Sequence, residues 1–422
     1  MSQPIGLVQL VSEEAMPLLF PVLALHPVGL VHISSKGFHS SGDGVLAAAD
    51  RAKLRLMPES IRCIRLGMMP SINETHDAVQ DGVAWLRARG CHPVINFTGG
   101  TKLMSIGAFQ AALKEAATSL YVDGENRCFL DGGTGSELTA LLPDGLSLDP
   151  LSPRLSVPMI LAAHGCEQRS FSRKVARSLV PLARHLLSNR EEEERTFYTM
   201  AGKDGAFARL RLVRNPNKWR DADKIEFDLP EALAKVAETA NMISRVGCKA
   251  KLRGSSQGPK APEHGRRLQW QYQFFEGGWW EVAVADAVER CPAFANVQVN
   301  VSIAKGGRRP MEEDILAVQG LQLAYFSCKR TNAEKLQRHL EEVDASARRL
   351  GGKYARKYLA VCHLPDDMRE DLQKRAVQLH ITILEPKDIA DEEALLRAAG
   401  CGSVDQITRD ARTTHSGRET LG

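Results

Sequence analysis

The sequence predicts an α/β protein: a doubly wound N-terminal domain on a mainly parallel sheet, joined to a second, mixed α/β domain. Three observations carry this. Over the first 145 residues short apolar runs alternate with helix-like runs, the pattern of a parallel sheet covered by helices. Several of those runs are apolar at almost every position, as in strands buried on both faces. The 422 residues are also roughly three times a typical domain, so further domain-sized regions must follow the first.

Strands are expected at Ile5–Val11, Gly29–Ser34, Ile61–Leu66, Pro93–Phe97, Ser119–Val122 and Arg127–Leu130, with helices at Glu13–Ala24, Asp43–Leu56, Glu74–Arg89 and Lys102–Ala117 between them. The region from 151 to 265 reads as helical and more charged, including Arg173–Leu187 and Glu231–Arg245. The run Glu191–Glu194 reads as a solvated helix face or loop. From Arg253 to Gly265, glycine, serine and proline without apolar periodicity mark a linker or long loop. Residues 266–422 form a second domain. Its expected elements are a helix at Trp279–Arg290, a strand at Asn296–Ile303, a hairpin over Met311–Ser327, a helix at Ala333–Leu350 and strands at Tyr358–His363 and Val377–Leu384, with a polar tail beyond Cys401. There is no internal repeat.

Composition sets the outer limits. With 43% hydrophobic, 25% charged and 6% aromatic residues the chain is that of an ordinary globular protein, and a formal charge of +4 leaves any nucleic-acid binding to local basic patches. Arg266-Arg267, Lys305 to Arg309 and Lys353 to Lys357 are the basic runs, with Trp279, Trp280 and Tyr325 as candidate stacking partners. The uncharged stretch Ala15 to Ser35 holds Pro17, Pro21, Pro27, His26 and His32, which argues against a membrane-spanning helix. No basic segment followed by an apolar one opens the chain, so a cytoplasmic protein is expected. The nine scattered cysteines include no C-x-x-C pair, which argues against a disulfide scaffold and against structural zinc. The twelve histidines form no H-E-x-x-H, and G-x-S-x-G is absent, which sets aside metalloprotease and serine-hydrolase chemistry.

Asn96-Phe97-Thr98-Gly99-Gly100-Thr101-Lys102 leaves an apolar strand and enters a helix with Leu103, Ile106, Phe109 and Leu113 at helical spacing. Such a turn presents backbone N–H groups and the positive end of a helix to a phosphate. Gly99 and Gly100 let backbone approach a ligand closely, Thr98 and Thr101 add hydroxyls and Lys102 adds charge, a set that suits a nucleotide phosphodiester. The same residues would also serve as a tight strand-to-helix connection. Neither the Walker A pattern nor G-x-G-x-x-G is present, so ATPase and dehydrogenase readings lose their support. Ser12, after the first strand, falls on the carboxyl-end rim where doubly wound sheets bind ligands, although it is also a competent N-cap.

In the second half, Met311–Val318 and Leu321–Lys329 read as a hairpin about Gln319-Gly320. With a two-residue turn there, Asp314 falls opposite Tyr325 and Glu312 opposite Ser327. Alternation then puts Glu312, Asp314, Ser327 and Lys329 on one face, with Ile315, Phe326 and Cys328 on the other. A hard divalent cation needs oxygen ligands such as Asp314, and a nearby ammonium orients an attacking water and stabilises a pentacoordinate phosphate. Glu281, in Gly277-Gly278-Trp279-Trp280-Glu281, falls in the first turn of the preceding helix. Each residue also has a structural reading: Glu281 complements a helix dipole, and Asp314 with Lys329 forms a surface ion pair.

The segment from Asn96 to Ser105 after a buried strand resembles the CRISPR-associated Rossmann-fold (CARF) domain of two-domain ancillary nucleases, and the likeness extends over most of the chain. It implies a Rossmann-like CARF sensor over residues 1–150, a connecting region over 151–265, and a restriction-endonuclease-like domain of the PD-(D/E)xK type over 266–422. It implies a homodimer whose paired sensors bind cyclic oligoadenylate, with cyclic tetra-adenylate as the expected ring, at a two-fold axis. The ligand-binding residues implied are Ser12, Thr98, Gly99, Gly100, Thr101 and Lys102. Those nucleases carry a G-x-W-x-E-like helix, an N-E-x-D hairpin and an E-C-K or S-C-K strand. The matching residues are Glu281, then Glu312 and Asp314 with Met311 in place of the Asn, then Ser327, Cys328 and Lys329. The implied catalytic set is Glu281, Asp314, Lys329 and Ser327. The implied ligands of Mn²⁺ or Mg²⁺ are Asp314, Glu281 and the Cys328 carbonyl, with Ser327 a poorer ligand than the motif's carboxylate.

The expected function is therefore a metal-dependent endonuclease, switched on by cyclic oligoadenylate in type III CRISPR antiviral defence. Its alternative is a ligand-responsive, nucleic-acid-binding regulator with an inactive nuclease-like domain. A third reading makes the sensor itself degrade its ligand. DNA against RNA, single against double strand, activator ring size and Mg²⁺ against Mn²⁺ stay open.

Overall fold

The computed structural model describes residues 3–401 apart from 55, 173–176, 256–260, 262 and 331–334, and at 39, 40 and 172 the backbone only. The chain runs β1 (Ile5–Val11), α1 (Met16–Leu25), β2 (Gly29–Ser34), α2 (His39–Arg51), β3 (Ile61–Arg65), α3 (Ile72–Arg87), β4 (His92–Asn96), α4 (Lys102–Lys114), β5 (Thr118–Asp123) and β6 (Cys128–Asp131). It continues through α5 (Val157–Ala163), β7 (Cys166–Ser172), α6 (Val180–Ser188), α7 (Arg190–Ala201), α8 (Glu231–Thr239), and the ribbon of β8 (Ile243–Val246) and β9 (Lys249–Leu252). Then come α9 (His264–Gln273), α10 (Trp279–Arg290), β10 (Ala295–Lys305), β11 (Met311–Gln319), β12 (Gln322–Lys329) and α11 (Leu336–Gly351). The last elements are β13 (Arg356–Val361), α12 (Asp366–Gln378), β14 (Ile381–Leu384), α13 (Pro386–Ala390) and α14 (Glu392–Ala398).

The expected doubly wound sheet is present, in the order β3-β2-β1-β4-β5-β6. Its first five strands are parallel, with Leu7 beside Leu30 on one side and Val94 on the other, and β6 returns antiparallel to β5. Apolar side chains leave both faces of β1 and β2, so helices must cover both. On one face Val8, Leu10, Val31, Ile33 and Ile95 pack with Val79, Val83 and Leu86 of α3 and Met104, Ala108 and Ala111 of α4. The stretch rich in proline and free of charge becomes α1, which starts three residues later than its pattern suggests and so places Pro17 in the first turn, where proline is favoured. Similarly, α3 begins at a capping box between Ser71 and Glu74, two residues before the expected start. No helix among the described residues is long and apolar enough to cross a membrane.

Strand order in the second sheet is β14-β13-β12-β11-β10-β7. The structure corrects three expectations here. The charged middle region contains a strand, β7, and also the ribbon β8–β9, where Ile243 lies opposite Leu252 and Gly247 turns with φ +61°. The helix expected to reach Arg245 therefore stops at Thr239. The strand expected from Val377 is shorter, because Val377 is an exposed residue of α12 and only Ile381 and Leu384 send side chains into the core. Part of the expected linker, and the polar tail beyond Cys401, lie outside the described residues.

Contacts divide the chain into two compact units. The first takes the chain up to Phe171 with Phe294–Tyr325 and Asp344–Lys357; the second takes Ser172–Ala293, Phe326–Val343 and the chain from Tyr358 onward.

Candidate functional site

At the carboxyl ends of β1, β2, β4 and β5, inside the first unit, lies a cavity of about 560 Å³. Ser12, Thr98, Gly99, Gly100 and Thr101 line it together, so five of the six residues expected to bind ligand meet in one place. Lys102 opens α4 as an exposed residue and does not line the cavity.

The glycine-rich turn is built by close approach. A Cβ on Gly99 would stand 2.0 Å from the Leu10 carbonyl oxygen, and Gly100 has φ +75°, so both positions require glycine. Thr98 is structural: its hydroxyl donates to Asn96 Oδ1 at 2.6 Å and accepts from the Val122 N–H at 2.7 Å, tying β4 to β5. Thr101 is the N-cap of α4, accepting from the Met104 N–H. Ser12 donates to the Glu14 carbonyl at 3.3 Å; it caps no helix, because α1 starts after Ala15. What remains to face a ligand is chiefly backbone, the positive end of α4 and the rim.

Several rim residues were not foreseen. Tyr121, Asp123, Gly124 and Glu125 come from the β5–β6 turn, and Lys353 and Tyr354 come from the loop after α11. Asp123 is held below the usual carboxylate range by the Asn126 backbone N–H and side-chain amide and by the Glu125 N–H, so its charge is spent on its own turn. Glu14 accepts from the Lys353 N–H at 3.2 Å, and burial pushes its carboxyl up. A second cavity of about 560 Å³ shares Glu13, Glu14 and Lys353 with the first and is lined also by Lys305, Arg348 and Arg349.

Of the residues expected for cleavage, Glu281 is half-buried in the first turn of α10, Glu312 is exposed and Asp314 half-buried on β11. Ser327 and Cys328 are buried, and Lys329 half-buried, at the end of β12. The hairpin forms, with Gly320-Leu321 between its strands and φ +58° at Gly320. Tyr325, expected opposite Asp314, donates instead to the neighbouring Glu313 at 2.9 Å. That bond and 5% exposure remove Tyr325 from base stacking. Trp279 and Trp280 are fully buried too, the latter donating to the Ala360 carbonyl at 3.0 Å, so none of the three expected aromatics is available. Lys357 is likewise buried against Asp344, which leaves Lys353 and Arg356 as the exposed members of that basic run.

The glutamate run holds a correction in the second unit. Glu193 on α7 is 1% exposed and meets Arg330 Nε at 2.8 Å, Arg190 at 3.3 Å and His363 Nε2 at 3.5 Å. Successive helix residues point about 100° apart, so four consecutive glutamates cannot all face water on a packed helix. Arg330 also lies 3.5 Å over the Phe197 ring. Glu193, Cys362 and His363 stand close enough to hold a metal ion, but the two guanidiniums already neutralise the carboxylate. Burial moreover pushes the Cys362 thiol up to about 11, and a metal needs the thiolate. The cluster is an ion network beside the end of β12, where the Cys362 N–H donates to the Lys329 carbonyl at 3.0 Å.

The first sheet and its cavity define a doubly wound α/β protein with a ligand-sized site at the point where the strand order reverses, between β1 and β4. Solved structures share the whole fold. Can2 from Sulfobacillus thermosulfidooxidans, in complex with cyclic tetra-adenylate, is similar over 94% of this chain and 97% of its own, at 17% identity and a TM-score of 0.65. Protein VC1899 from Vibrio cholerae is similar over 94% of this chain and 99% of its own, at 16% identity and a TM-score of 0.68. No protein-family model and no curated protein matches the sequence.

Proposed function

We propose that the chain is a CARF-type endonuclease, in which a cyclic oligoadenylate bound at the first cavity switches on metal-dependent cleavage of nucleic acid. One observation carries the reading: Ser12 and Thr98 to Thr101 converge on a cavity at the switch point, in a chain that shares its fold over 94% of its length with a protein holding cyclic tetra-adenylate. A cyclic tetra-adenylate has two-fold symmetry, so a homodimer presenting two such cavities about one axis is the matching receptor.

For cleavage, Asp314, Glu281 and the Cys328 carbonyl would supply oxygen ligands, the donor type that Mn²⁺ and Mg²⁺ prefer. When bound, the ion supplies Lewis-acid stabilisation of charge developing on the phosphate. Lys329 orients the attacking water and adds its ammonium to the same charge. Ser327 contributes a hydroxyl hydrogen bond where related motifs place a carboxylate. That substitution favours a second reading, a ligand-responsive regulator that binds nucleic acid without cutting it.

The deciding experiment incubates the purified chain with labelled single- and double-stranded DNA and RNA, with and without cyclic tetra-adenylate, Mn²⁺ and Mg²⁺. Cleavage that needs both activator and metal, lost in Asp314→Ala and Lys329→Ala while calorimetry still shows activator binding, supports the nuclease. Activator binding with no substrate cut supports the regulator. Consumption of the activator itself would make the sensor the enzyme.

A further inference from the structure

Lys353 and Tyr354 stand far along the sequence from the glycine-rich turn yet line the same cavity, in the same compact unit. Their placement is fixed. Both Glu14 carboxylate oxygens lie within reach of the Lys353 N–H, at 3.2 and 3.4 Å. Gly352 turns the chain with φ +72°, and a Cβ there would stand 2.6 Å from Glu14 Oε2 and 2.8 Å from His164 Cε1. The Tyr354 ring lies 3.6 Å from where a Cβ of Gly124 would be, so the ring packs against the β5–β6 turn. The Lys353 ammonium sits 4.6 Å over the Tyr354 ring.

An aromatic ring with an ammonium beside it, lining a cavity that a helix N-terminus also borders, brings together what a nucleotide needs: a surface to stack a base and a charge near its phosphate. Glu13, Glu14, Asp123 and Glu125 also line the cavity, and Lys353 is the one lysine or arginine among its described lining residues, so an anionic ligand there depends on Lys353. We infer that Tyr354 stacks on an adenine of the activator while Lys353 neutralises an adjoining phosphate, so that the ligand is gripped by the segment leading into β13. This rests on the proposal that the cavity takes cyclic oligoadenylate.

Calorimetry with cyclic tetra-adenylate, on the full chain, tests it with Tyr354→Ala, Tyr354→Phe and Lys353→Met beside the parent. The expected result is at least a tenfold loss of affinity for Tyr354→Ala and several-fold for Lys353→Met, with Tyr354→Phe within about threefold of the parent because the ring remains. The Lys353→Met loss shrinks as salt is raised; the Tyr354→Ala loss does not. Should Tyr354→Ala fail to fold, Lys353→Met and Tyr354→Phe still decide. Parent-like affinity in both Tyr354→Ala and Lys353→Met, or in Lys353→Met alone where the alanine variant is unfolded, overturns the inference and leaves the proposed function standing. A Tyr354→Phe loss equal to that of alanine overturns the stacking role. A parent that binds neither cyclic tri-, tetra- nor hexa-adenylate overturns the proposed function, and this inference with it.

Discussion

Glu14 in the first unit and Glu193 in the second are both carboxylates withdrawn from water, yet they titrate in opposite directions. For each, burial is the largest influence and favours the neutral acid. At Glu14 it is opposed by the Lys353 N–H and ammonium, and burial wins, so the carboxyl is raised above 4.5. At Glu193 the His363 contact and the guanidiniums of Arg330 and Arg190 more than offset it, and the carboxyl is lowered. Burial by itself therefore does not decide charge; the number of cations brought within about 3.5 Å does. One carboxylate is locked into a scaffold, whereas the other stands at the rim of a cavity with its charge weakly compensated.

The sharpest test of the locked half is Glu193→Leu, which leaves two guanidiniums facing apolar surroundings. Urea unfolding at neutral pH should show a loss of about 3–5 kcal/mol, the usual penalty for removing one partner of a buried ion network. A loss below about 1 kcal/mol would show that water already reaches the arginines. Next is Gly99→Ala, which asks whether the cavity turn is as rigid as the ion network. Its Cβ meets the Leu10 carbonyl, so a cost of about 1–3 kcal/mol is expected, together with loss of activator binding. Unchanged melting would mean the turn relaxes freely.

The pH dependence separates the two carboxylates directly. The stability that Glu193 contributes is present above pH 4.5, its unfolded value, and is lost as pH falls through its lower folded value. Glu14 acts in the reverse sense: its raised folded value destabilises the protein at neutral pH, and that cost disappears as pH falls from the folded value to 4.5. Glu14→Gln should therefore raise the unfolding free energy slightly at pH 8, by about a few tenths of a kcal/mol after solvent screening, and not at pH 4.5, as urea unfolding at the two pH values would show. Equal effects at both pH values would remove titration from the explanation. The smallest effect is expected from Lys102→Glu. Lys102 stands off the cavity, so the half-activating concentration of cyclic tetra-adenylate should shift by less than tenfold, and the shift should close with added salt. A tenfold or larger shift that persists at high salt would show that Lys102 contacts the ligand.

Much of the first sheet was legible because its strands are buried on both faces. Ile5–Val11 and Gly29–Ser34 are apolar almost throughout, and their bounds in the sequence and in the structure coincide. β7, Cys-Glu-Gln-Arg-Ser-Phe-Ser, carries too few apolar residues to announce itself beside charged helices. The cavity's glycine-rich wall was legible from Gly99 and Gly100, since local backbone demands leave a local mark. Lys353 stood out only as part of a basic run and Tyr354 not at all, because only the tertiary fold brings them to Ser12 and Thr98. Glu193 was hidden differently: its neighbours Glu191, Glu192 and Glu194 look the same in sequence, and the partner that distinguishes it, Arg330, comes from beyond β12.

Because the first unit draws on three separate stretches of chain, it has a timetable. Its sheet can form soon after Asp131 leaves the ribosome, but the cavity stays open on one side until Lys353 and Tyr354 have been synthesised. At about 5–20 residues per second that interval is roughly ten to fifty seconds. For that time the nascent chain exposes an unfinished unit while the intervening segments, most of them destined for the other unit, emerge. Final closure then depends on contacts between residues far apart in the chain, the kind that fold slowly. A newly made molecule thus lacks a complete cavity until most of its length exists.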